Sequence, residues 1–163
     1  MKIRTLLFVV MAIAFASTAR AQTKQSGTLH CNKPDPAHSV DVGDHDKHSM
    51  GVTRFQCTWT KPLEMGGSQQ KEGTSVEFDD TTGDKTSGRG VHWGTMANGD
   101  KYFVRYQGTS TSKDGVVQTV SGTWSYTGGT GKLKGLTGKG TYKGKGNPDG
   151  SADFDVQGYY KLP

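Results

Sequence analysis

From residue 22 onward, apolar and polar residues alternate with a period of two, in short runs broken by glycine, asparagine and aspartate. A strand sends successive side chains to opposite faces, so this period predicts strands. Eight are expected: Gln25–Cys31, His48–Thr60, Lys71–Phe78, Thr86–Met96, Asp100–Gly108, Val116–Tyr126, Lys132–Lys143 and Ser151–Leu162. In the second, Phe55, Cys57 and Trp59 share a face. In the fifth, Tyr102, Val104 and Tyr106 oppose Phe103 and Arg105. In the eighth, Phe154, Val156, Gly158 and Tyr160 alternate with Asp153, Asp155, Gln157 and Tyr159.

Turn chemistry separates the runs. Asn98-Gly99 tolerates the positive φ angles of a two-residue hairpin and is the strongest such signal. Asn32–Lys47 reads as a loop rich in Pro, Asp and His. Lys61–Gly67, Asp79–Gly83, Lys113–Gly115 and Gly146–Gly150 read as turns. No run shows apolar spacing of three, four and seven, so no helix beyond a single turn is expected. Eight sequential strands predict an all-β, up-and-down antiparallel barrel, with a β-sandwich as the rival. Gly94, Gly122, Gly138, Gly140 and Gly158, inside strands, favour the barrel because closure demands bends and close approaches.

The first residues do not fit this pattern. Lys2 and Arg4 precede an apolar run, Leu6–Ala16, too short to span a bilayer, and Ala19-Arg20-Ala21 has the small-x-small form of a cleavage site. Residues 1–21 are expected to be an export signal, and residues 22–163 a single domain in the periplasm or the medium. No cysteine lies near the junction to carry a lipid, so no membrane anchor is expected after cleavage. Cleavage also changes the charge. Lys2, Arg4 and Arg20 leave and no acidic residue does, so the net charge falls from +5 to about +2. A nearly neutral surface gives no strong field for phosphate, so nucleic acid is not an expected partner. In an oxidising compartment Cys31 and Cys57 are expected to form a disulfide.

The glycine-rich stretch Thr123–Gly138 invites a phosphate reading that its spacing excludes. No glycine stands five residues before a Gly-Lys-[Ser/Thr], so it is not a P-loop. Lys134 stands where a dinucleotide fingerprint needs glycine, and Lys132 where a calcium-binding repeat needs aspartate. No cofactor is predicted. Gly128-Gly129-Thr130-Gly131-Lys132-Leu133, leading into Gly138-x-Gly140-x-Tyr142, resembles the G-G-[Ser/Thr]-G-x-aromatic turn of the allene oxide cyclase and dirigent barrel families. It is also similar to bacterial secreted proteins with an allene oxide cyclase-like domain, whose function is generally unassigned. Val42-Gly43-Asp44, Cys57–Pro62 and Asn98–Lys101 fit that likeness, while Leu133 departs from the aromatic of the plant families. The resemblance implies a calycin-like barrel of eight strands and carries no catalytic residue to a position here.

Three constellations could hold chemistry. Asp44-His45-Asp46-Lys47-His48, with His30 and His38 nearby, is the densest set of metal-ligand types, but it has no zinc-site spacing and no metal is predicted. Lys132, Lys134, Lys139, Lys143 and Lys145 suggest a basic stripe along the seventh strand. Aromatic residues recur on most strands. Trp93, Tyr102, Trp124, Tyr126 and Tyr142 are expected to line a calyx for a small apolar or aromatic ligand, with Arg105 or Arg54 at its mouth. Asp79-Asp80 is assigned to a turn, and no Ser-His-Asp or Cys-His triad is found. The expected function is a binding module. A cyclase or isomerase is the alternative, and an envelope protein that assembles through an oligomer face is a third reading.

Overall fold

Register between neighbours decides which face of each alternating strand turns inward. The computed structural model describes residues 22–163; the expected export signal lies outside the described residues. Ten strands follow in order: β1 (Thr23–Cys31), β2 (Ala37–Asp41), β3 (His48–Trp59), β4 (Glu64–Met65), β5 (Ser68–Thr82), β6 (Lys85–Met96), β7 (Lys101–Lys113), β8 (Val116–Gly129), β9 (Thr137–Gly146) and β10 (Ala152–Lys161). Strands β3 and β5 to β10 pair antiparallel with their sequence neighbours. β10 returns to β1, and β1 meets β3, which closes an eight-stranded up-and-down barrel.

The seam of this barrel is short. β5 holds β3 along one edge, from His48–Thr82 to Cys57–Gly73. The other edge of β3 is divided. β1 reaches only from Leu29–Trp59 to Cys31–Cys57, and β2 covers Ala37–Thr53 to Asp41–Ser49. Cys31 and Cys57 stand directly opposite at the end of the β1 ladder and form a disulfide there. The bond holds closed the seam that has the fewest backbone hydrogen bonds to hold it.

Two segments depart from expectation. β2, inside the predicted loop, exists because β1 leaves half of β3 unpaired, and an unpaired edge recruits any chain near it. Lys132–Lys143 is not one strand: Gly131–Leu133 is a turn of 3₁₀ helix, and β9 starts at Thr137. Gly131 and Gly135 take positive φ, and Leu133 and Leu136, three apart, are each 1% exposed. Spacing by three matches a turn, not a pleat. The basic stripe is broken accordingly, with Lys132 and Lys134 on the turn and Lys139, Lys143 and Lys145 on the outer face of β9.

The two leucines place the core. They pack with Met65, Met96, Tyr102, Tyr126 and Tyr160 at the end of the barrel where β6 turns into β7 and β8 into β9. Asp100 ties these connections together. Its Oδ2 accepts from Lys132 N at 3.1 Å and from Asn98 Nδ2 at 2.9 Å. Inside the barrel, large rings lie over inward-facing glycines of the adjacent strand or the one beyond it. A methyl group on Gly90 would overlap Tyr106, one on Gly108 or Gly122 would overlap Tyr142, and one on Gly140 or Gly158 would overlap Trp124. Rings laid against the wall leave the axis open. The outer surface carries exposed Val40, Met50, Val52 and Phe78 on β2, β3 and β5.

Candidate ligand cavity

Above the leucine floor the barrel encloses a cavity of about 630 Å³. It opens toward the β7–β8 and β9–β10 turns and the segment 33–39. A volume of this size suits a small molecule. Its walls are largely aromatic: Phe55, Trp59, Tyr106, Trp124, Tyr142 and Phe154. Ring pairs meet edge to face, Trp124 on Tyr126 at 5.1 Å and Tyr106 on Tyr142 at 6.2 Å between centroids.

The floor is a hydrogen-bonded relay. Ser75 Oγ lies 2.8 Å from His92 Nδ1, and His92 Nε2 lies 3.3 Å from the Tyr102 hydroxyl. Tyr102 donates to Gln70 Oε1 at 2.7 Å. Because Tyr102 spends its proton on Gln70, His92 Nε2 must donate and Nδ1 must accept from Ser75. This is the neutral tautomer, and burial pushes the imidazole down to about 4. Tyr126 donates to Gln25 Oε1 at 2.6 Å. Burial raises the hydroxyls of Tyr102, Tyr106, Tyr126 and Tyr142, so all four remain phenols. Trp59 Nε1 and Gln70 Nε2 are buried without an acceptor in bonding geometry.

One wall differs from the rest. β5 turns Ser75, Glu77, Asp79 and Thr81 into the cavity and leaves Phe78, 56% exposed, on the outside. Glu77 hydrogen-bonds to Asp79, and the Tyr106 hydroxyl donates to Glu77. Thr53 Oγ1 donates to Asp79 Oδ2 at 3.3 Å. Burial first, then the Asp79 carboxylate beside it, push the Glu77 carboxyl up to about 8. Gly88, on the adjacent strand, makes the room. A methyl there would overlap Glu77 Oε1 and stand 3.2 Å from Asp79 Oδ1.

The sequence-predicted residues divide between the two faces. Tyr102, Trp124, Tyr126 and Tyr142 line the cavity. Trp93 and Arg105 do not. His92 and Val104 point inward, so their neighbours Trp93 and Arg105 stand on the outer face, and Arg54 is exposed beside inward Phe55. Among the described residues, no arginine lines the cavity or its mouth. The predicted turn Asp79–Gly83 is also displaced: β5 continues to Thr82, so Asp79 becomes a wall residue. Glu77 and Asp79 were missed because Val76 and Phe78 look like the buried face of their strand. The one available signal was that two acids, two residues apart, share a face with Ser75.

At the rim, the histidine cluster is a charge-paired knot. Asp44, His45 and His48 each bring one ligand atom within 4.8 Å of the others. Both nitrogens of His48 are taken by carboxylates, Asp44 Oδ1 at 2.5 Å and Asp80 Oδ1 at 3.1 Å. Its ring stacks on His45 at 4.4 Å. The hydrogen bond to Asp44 raises His48 and lowers Asp44. Such an arrangement fits an imidazolium better than a metal ligand, which must offer a free lone pair.

No family model and no curated protein matches the chain. Solved structures do. The pterocarpan synthase dirigent protein GePTS1 superposes with a TM-score of 0.53 at 11% identity, over 97% of this chain and 99% of that one. A protein of unknown function from the DUF3224 family of Shewanella oneidensis MR-1 is similar at a TM-score of 0.48 and 16% identity, over 88% and 98%. At 11% identity the likeness to the dirigent protein shows the fold alone, and the chain is a dirigent-like β-barrel.

Proposed function

We propose that this barrel is a binding module for a small, flat, apolar or aromatic molecule, exported after loss of residues 1–21. The cavity of about 630 Å³ above a packed floor, walled by rings laid against glycine, carries this reading. A barrel selected for stability alone would fill that space, since voids cost contacts. The Cys31–Cys57 disulfide supports the compartment, because such bonds persist where the surroundings oxidise. Native mass spectrometry of protein purified from its own host tests the reading. A discrete added mass, lost on denaturation, is the expected result. Protein that is bare and also leaves every member of an aromatic ligand library unbound overturns it.

Glu77 favours a second reading, a cyclase or isomerase working in the same space. A carboxyl held near pH 8 beside a ligand site has a proton to give or to take at neutral pH. Incubation of the recovered ligand separates the two readings. A catalyst returns a chemically changed molecule, and Glu77→Gln then stops the change while binding persists. A ligand returned intact supports the binding module.

A further inference from the structure

The acidic wall has no cation of its own. Along the cavity the ionisable and charged groups are Glu77 and Asp79 on β5, His92 on β6, the phenols of β7, β8 and β9, and Lys33 and His38 at the rim. His92 belongs to the floor relay, and burial holds it neutral. Among the described residues no ion pair joins Glu77 or Asp79 to a lysine, arginine or histidine. The acids receive neutral donors instead, Tyr106 on Glu77 and Thr53 on Asp79. A buried carboxylate is ordinarily paired with a cation, because taking it out of water costs several kcal/mol. This pair faces an opening rather than a partner.

The surroundings keep that opening clear. In the barrel wall, Glu77 is flanked by Thr53 and Gly90, and Asp79 by Gly51 and Gly88, with Gly108 beyond Gly88 on β7. Glycine leaves no side chain to cover the carboxyls. The rings of Tyr106, Tyr142 and Phe55 line the same cavity, and Tyr106 and Tyr142 both interact with Glu77. Aromatic faces attract a cation and are indifferent or repulsive to an anion. An acid pair and ring faces thus select the same charge.

We propose that the molecule this cavity takes carries a positive charge on a flat ring system, and that Glu77 and Asp79 receive that charge while the rings hold its faces. This rests on the reading of the cavity as a ligand site. The hydrogen bond between Glu77 and Asp79 sets the two carboxyls side by side at the place where that charge would sit.

Three probes of nearly one shape test it: N-methylquinolinium, neutral 1-methylnaphthalene and anionic 1-naphthoate, each titrated into the protein by tryptophan fluorescence or calorimetry at pH 7. The cation is expected to bind at least tenfold more tightly than the neutral probe, and the anion more weakly than either. Glu77→Gln/Asp79→Asn should reduce the cation's advantage over the neutral probe below threefold. Asp79→Asn alone gives a smaller shift of the same sign and serves if the double variant does not fold. Asp155→Asn, on the exposed outer face of β10, removes a charge of the same sign and should change nothing. Equal binding of cation and neutral probe, or an advantage that survives the double variant, overturns the charge preference and leaves the ligand site standing. Failure of all three probes to bind overturns the charge preference, and together with bare protein and an unbound ligand library it overturns the ligand site as well.

Discussion

The two ends of this barrel use the same strands for opposite purposes. At one end Met65, Met96, Leu133 and Leu136 are buried to within 2% and the polar groups present, His92, Tyr102 and Gln70, hydrogen-bond one another. At the other end the same strands present Glu77, Asp79, Thr81 and a set of glycines to open space. The first end is what a folded chain needs. The second exposes acids to a half-dry interior and leaves volume unfilled, both of which oppose stability. The difference teaches where to look for selection other than folding, and it predicts that stability and ligand response separate along the barrel axis.

The largest stability effect expected is at the seam rather than at either end. Removing the disulfide frees a loop of 26 residues, worth about 3.5 kcal/mol in the chain-entropy model. Cys31→Ala/Cys57→Ala should show this as a lowered urea midpoint. Leu136→Ala comes next, at about 3 kcal/mol, because the residue is 1% exposed and the cavity left behind cannot collapse. Val120→Ala, lining the open end, should cost under about 1 kcal/mol because its side chain already borders a void. If the two truncations cost the same, the contrast between the ends is wrong.

Glu77 sharpens the contrast through pH. Its folded pKa of about 8 lies above the ordinary 4.5, so the folded state holds the proton more tightly. The stability this contributes is fully present below about pH 4.5 and is lost as pH rises through 8. At about 1.4 kcal/mol per unit, with the Tyr106 hydrogen bond already included in that value, the loss between pH 5 and 9 should be a few kcal/mol. Glu77→Gln should flatten that limb in urea titrations repeated across the range. A variant curve parallel to wild type places Glu77 in water rather than in the wall.

How much of this was legible from sequence follows from what the pleat fixes. Alternation fixes which residues share a face, so the groups Phe55, Cys57, Trp59 and Tyr102, Val104, Tyr106 were readable, as was closure by eight strands. Alternation does not fix which face is inside. That is set by register to neighbours, and in β5 the pairing Phe55–Ser75 and Ser75–His92 turns the polar face in and Phe78 out. The same ambiguity put Trp93 and Arg105 in the predicted calyx. Leu133 and Leu136 were read as strand because two leucines among lysines and glycines are too few to reveal a turn. The most informative residues of the site, Glu77 and Asp79, were hidden because they break the rule by which a core is recognised.

The smallest effect expected is at the rim, where His48 bridges Asp44 and Asp80 and so ties the β2–β3 connection to β5. His48 is raised above its ordinary 6.5, and Asp44 is lowered below its ordinary 3.8, by the same hydrogen bond. The histidine's contribution is complete below pH 6.5 and is lost as pH rises through its raised value. The aspartate's is complete above 3.8 and is lost as pH falls through its lowered value. The knot is therefore tightest between about pH 4 and 6.5. Amide protection over residues 41–48, taken relative to the intrinsic base-catalysed rate at each pH, should be highest in that window and lower at pH 8.5, and His48→Gln should remove the difference with little change in global stability. Protection at Leu133 and Leu136 should not respond to the state of the knot, because no part of the knot reaches the packed end. A response there would mean that the two ends are one cooperative unit, and that the open end cannot change shape for a ligand without loosening the floor.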